Sequence, residues 1–77
     1  MSAIDGYKKR AKVLFAAIKT GNAEAISRYA KVLRDTSQVS LMRVQHVIAV
    51  ECGYRSWQSL LDAPEREARE RLQKVPS

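Results

Sequence analysis

Ser40–Leu61, SLMRVQHVIAVECGYRSWQSLL, is the stretch from which the fold is read. Leu41, Val44, Ile48 and Cys52 recur at three- and four-residue intervals, the spacing that puts side chains on one stripe of a helix. Ser40 stands where an N-cap oxygen is needed, and Gly53 stands where the backbone must turn left-handed to leave the helix. Ser56 then caps a short second helix, from Trp57 to about Asp62, whose Trp57, Leu60 and Leu61 close the core. Met42, Val47, Ala49 and Val50 make the first of these helices apolar around most of its circumference. Such a helix sits in the middle of a small bundle, or it presents Met42, Val47 and Val50 to a partner.

Upstream, Tyr7, Ala11, Leu14, Phe15 and Ile18 form a second stripe, which predicts a helix from about Gly6 to Thr20 with Asp5 as N-cap and Gly21 beyond its end. Asn22 caps the next helix, with Glu24 in its first turn, Ile26, Tyr29, Ala30 and Leu33 inward and Arg34 near its C-terminal end. The link is so short that these two helices must run antiparallel. Asp35–Gln38 is a polar connection.

Downstream, Pro64 ends one element and opens another. Glu65–Lys74, EREARERLQK, is laced by the i,i+4 pairs Glu65/Arg69, Glu67/Arg71 and Glu70/Lys74. With only Ala68 and Leu72 apolar, it reads as a frayed or loosely docked helix. No alternating apolar pattern or hairpin signal interrupts this sequence of helices. The expectation is an all-α protein: a small four-helix bundle in residues 1–63, helix-turn-helix-like in its C-terminal half, followed by a charged tail in residues 64–77 that is helical or disordered.

The chain has 77 residues, 45% of them apolar, which suits one small globular domain rather than a disordered segment. No apolar run approaches the roughly 18–20 residues needed to span a bilayer, and Met1–Arg10 lacks the apolar segment of a signal peptide. The single cysteine, Cys52, excludes an internal disulfide. A reduced, cytoplasmic setting with no membrane partner is the expectation.

The charge is uneven. The net +6 of the whole chain falls entirely in residues 1–34, and residues 35–77 are balanced. On a helical wheel Lys8, Lys12 and Lys19 lie close together beside the apolar stripe, with Lys9 further round. Such a face suits a polyanion. Lys8, Lys9, Arg10, Lys12, Lys19, Arg28, Lys31 and Arg55 are the candidate nucleic-acid contacts, with salt-sensitive and weakly sequence-specific affinity. A second expectation is docking on a regulatory protein partner, self-association included, through Met42, Val47 and Val50.

Ser40, Leu41, Gln45, Ile48, Ala49, Glu51, Gly53, Tyr54, Ser56, Trp57 and Leu60 match the pattern S-L-x-x-A-Q-x-x-I-A-x-E-x-G-Y-x-S-W-x-x-L. The chain thus resembles a small bacterial helical module found before ankyrin repeats, as short stand-alone proteins and beside glyoxalase-like domains. Val44 departs from the pattern's alanine, and Cys52 fills its variable slot. The lead-in from Tyr7 is also similar, so the likeness covers about Tyr7–Leu61. It implies a helical fold and a module standing alone, and it names no activity. Ala49-x-x-x-Gly53 also resembles the heart of a helix-turn-helix. The following helix is short, however, and offers only Arg55, Gln58 and Ser59 to base edges.

Catalysis is not expected. His46 and Cys52, six residues apart, point in different directions on a helix and cannot pair as base and nucleophile. No cluster of ligands suggests a metal, and no glycine-rich fingerprint suggests a nucleotide, so no cofactor is expected.

Overall fold

The computed structural model describes residues 2–35 and 37–73. Among these the chain forms five helices and no strand: α1 (Ala3–Lys19), α2 (Ala23–Val32), α3 (Leu41–Glu51), α4 (Trp57–Asp62) and α5 (Glu65–Leu72). The molecule measures 34 × 20 × 17 Å. A helix with its side chains is about 10–12 Å across, so this is two helices thick in both short directions. α1 packs chiefly on α3 and α5, and α3 also meets α2 and α4.

Two glycines make the sharp corners by one device. Gly21 (φ 82°) follows α1, where the N–H groups of Gly21 and Asn22 donate to the carbonyls of Ile18 and Ala17. Gly53 (φ 90°) follows α3, where the N–H groups of Gly53 and Tyr54 donate to Val50 and Ala49. Both are Schellman closures, which satisfy the last carbonyls of a helix and need a left-handed residue that a Cβ disfavours. Three of the four expected caps form: Asn22, Ser40 and Ser56 accept from the N–H groups of Ala25, Arg43 and Ser59. Tyr29 donates its hydroxyl to the Gln38 carbonyl, tying the α2–α3 connection to the core.

The core is drawn from all five helices. Tyr7, Ala11 and Leu14 of α1, Tyr29 of α2, Val44, Val47 and Ile48 of α3, Leu60 of α4 and Ala68 of α5 are buried. Each fully buried aliphatic side chain contributes roughly 1.5–3 kcal/mol relative to exposure.

Three expectations are corrected. First, α1 begins at Ala3 and not Gly6, and Asp5 lies in its first turn instead of capping it. Ser2 takes the cap position but makes no side-chain bond, and the Ala3 N–H donates to Glu65 of α5 instead. Second, residues 65–72 form the expected helix, but it is not loosely docked. The Tyr7 hydroxyl donates to the Ala68 carbonyl at 2.7 Å in the buried interior, and Leu72 packs over Gly6. The predicted Glu65/Arg69 and Glu67/Arg71 pairs form, but Glu70 pairs with Arg66; Lys74, its expected partner, lies outside the described residues. Third, Val47 is fully buried and is no partner contact, because α3 is wrapped on that side by the other helices. Arg34 lies beyond the end of α2, where Lys31 is the cation in the last turn.

Candidate nucleic-acid interface

α1 positions the lysines. Lys8, Lys12 and Lys19 fall within about 40° of arc and span about 16 Å along the helix axis. All three are exposed, as are Lys9 further round α1 and Lys31 on α2. Lys19 rests over the Phe15 ring, 4.5 Å from its centroid, which holds its charge against the helix surface. Among the described residues no carboxylate forms an ion pair with any of these five lysines. The acidic residues of α5 are engaged with arginines of their own helix and leave the lysines un-neutralised.

The arginines behave differently. Arg28 forms a two-pronged bond to Glu51, Nε to Oε2 at 3.1 Å and Nη2 to Oε1 at 2.7 Å, with side chains only 21% and 19% exposed. That carboxylate raises the Arg28 pKa and commits the guanidinium to joining α2 with α3. Arg28 therefore leaves the set of available cations. Arg10 is half-buried and engaged within the chain. Arg55 is exposed on the α3–α4 turn, on neither of the two helices that carry the lysines.

α4 offers little to base edges. It has six residues, Gln58 donates to Asp62, and Ser59 is held by Ser56. Tyr7 and Tyr29 are buried. Tyr54 is half-buried, with Arg71 4.8 Å from its ring centroid and Glu67 accepting from its hydroxyl.

Of the expected partner contacts, Met42 (79%) and Val50 (36%) are exposed while Val47 is not. Met42, His46 and Val50 follow one another at i, i+4 and i+8, so they share one side of α3.

Cys52 and Tyr7 lie side by side in the buried core, and burial raises both pKa values. A thiol held protonated in this way is a poor nucleophile. Among the described residues no group of three or more His, Cys, Asp or Glu could hold a metal ion, and no helix is long and apolar enough to cross a membrane.

Sequence reasoning paired Arg71 with Glu67 but missed its contacts outside α5. It donates to the Cys52 carbonyl at 2.9 Å, covers Tyr54 and pairs with Glu67, pinning α5 to the C-terminal end of α3. The four-residue spacing of Ala68 and Leu72 was the signal that one side of α5 is buried.

No family model matches the chain, nor does any curated protein or solved structure.

Proposed function

We propose that this chain is a non-enzymatic regulatory protein that binds nucleic acid through the lysine face of α1. One observation carries the reading: Lys8, Lys12 and Lys19 lie in line on one exposed side of a helix, and no carboxylate among the described residues pairs with them. Lys9 and Lys31 extend that field. Aligned ammonium groups displace the counterions condensed on a phosphate backbone, and that release drives binding without reading bases. The short α4, with two of its polar side chains bonded internally, favours backbone contact over major-groove recognition.

The test is fluorescence anisotropy with a labelled duplex over a range of salt concentrations. The wild-type affinity falls steeply with salt, and the Lys8→Ala/Lys12→Ala/Lys19→Ala variant loses about 2–3 from the log–log slope. An unchanged slope and affinity in that variant, with helicity intact, would sink the proposal.

A second reading rests on the exposed Met42 and Val50, which flank His46 on α3 and offer a small apolar strip to a protein partner. Met42→Asp would abolish such docking and leave the salt dependence of nucleic-acid binding as it was.

A further inference from the structure

The chain holds five aromatic side chains, Tyr7, Phe15, Tyr29, Tyr54 and Trp57, and none of them is exposed. Three belong to α1 and α2, the helices that carry the lysines. Tyr7 and Tyr29 are buried, and their hydroxyls are bonded to the carbonyls of Ala68 and Gln38. Phe15 is the one ring in line with Lys8, Lys12 and Lys19 on α1. It is half-buried against the core, and the Lys19 ammonium sits over its ring. Away from the lysines, Tyr54 lies under Arg71, and Trp57 packs against the core from α4. A base that stacked on Phe15 would first have to displace Lys19, trading away one of the cations that holds phosphate.

Without stacking, the choice between a duplex and a single strand is left to charge. Along its axis a duplex presents one phosphate per about 1.7 Å, and one strand alone presents one per about 3.4 Å. Each phosphate that a lysine neutralises releases about 0.9 counterion from a duplex and about 0.7 from a single strand. Proteins that prefer single strands reverse this order by stacking bases on exposed aromatic rings. The lysine face has the charges and lacks the rings. We propose that this face selects duplex over single-stranded nucleic acid, through phosphate contacts alone; the inference rests on nucleic-acid binding by α1 and names the class of nucleic acid bound.

The test compares a duplex of about 20 base pairs with an oligothymidylate of the same length, by fluorescence anisotropy on the full chain. For contacts made by the three aligned lysines, or by all five with Lys9 and Lys31, the duplex is expected to bind about four- to tenfold tighter at about 0.1 M salt, and the gap is expected to close towards about 1 M. The Lys8→Ala/Lys12→Ala/Lys19→Ala variant is expected to shrink the gap to about twofold or less. Phe15→Leu, its helicity checked by circular dichroism, is expected to leave the affinity for the single strand within about twofold of wild type. Equal or tighter binding of the single strand would overturn the inference, and so would a larger loss of single-strand affinity on Phe15→Leu. In either case, weaker binding of both probes by the triple-lysine variant would leave the phosphate-binding role of α1 standing. Binding of neither probe through the lysines would overturn that role and the inference together.

Discussion

The Oε1 atom of Glu65 accepts the backbone N–H of Ala3 at 2.7 Å, so a carboxylate 62 residues away satisfies the first turn of α1. A helix N-terminus has four N–H groups with no internal partner, and a negative acceptor there also answers the helix dipole. The residue that starts the helix is therefore chosen by α5. The same pair explains how a helix as charged as α5 stays docked: its first residue caps α1, its middle residue accepts from Tyr7, and its last leucine covers Gly6.

Glu65→Ala removes this acceptor. The expected cost is about 1 kcal/mol, in the range of a lost N-cap, read as a lower midpoint in urea with the m-value unchanged. An unaltered midpoint would mean that solvent replaces the carboxylate without loss.

Ala68 is 1% exposed on the one buried side of α5. Ala68→Leu forces extra methylenes into the packed interior and is expected to cost about 1–3 kcal/mol. If α5 were loosely attached, the same change would be nearly neutral. Thermal unfolding followed by circular dichroism separates the two outcomes.

The two Schellman glycines differ in their surroundings. A Cβ at Gly53 would come within 2.7 Å of Arg71 Nη1, whereas at Gly21 it would meet nothing within 4 Å. Both substitutions to alanine strain a left-handed residue and are expected to destabilise by about 1 kcal/mol or more. Gly53→Ala also displaces Arg71 from the Cys52 carbonyl, so it is expected to cost more than Gly21→Ala. Equal losses would show that Arg71 moves aside freely.

Burial, with Cys52 alongside, holds the Tyr7 phenol neutral well above its ordinary value of 10.0. The unfolded chain ionises this group at about 10 and the folded chain does not. Its contribution to stability is complete below that pH and is lost as the pH rises further. Tyr7→Phe lacks the bond to Ala68 and is expected to be less stable near neutrality by about 1 kcal/mol, with the gap narrowing above pH 10. Parallel stability curves for the two proteins in alkali would contradict this account.

Arg28→Ala breaks the fork to Glu51 and is expected to cost about 1 kcal/mol or less, because the pair is near the surface. Since its guanidinium is already committed, the salt slope of duplex binding is expected to stay at the wild-type value. A shallower slope would return Arg28 to the interface.

Most of the helical framework was legible because its signals are local. Asn22, Ser40 and Ser56 cap where they were expected to, and Gly21 and Gly53 take positive φ. The lysine row was legible too, since Lys8, Lys12 and Lys19 are set side by side by helix geometry alone. The helix-to-helix contacts were harder to read. On α3, Met42, Val47 and Val50 look alike in sequence, and only the packing of neighbouring helices decides that Val47 is inside and Met42 outside.

From its residue order alone the chain determined where helices form, how they end and which side of α1 carries positive charge. These follow from capping, turn chemistry and a period of 3.6 residues, each settled within a few neighbours. The tertiary structure decided that α1 starts at Ala3, that Arg28 belongs to Glu51 and that α5 joins the core. Each of these depends on which surfaces meet across the fold, and burial and ion pairing between distant residues leave no periodic mark on the sequence.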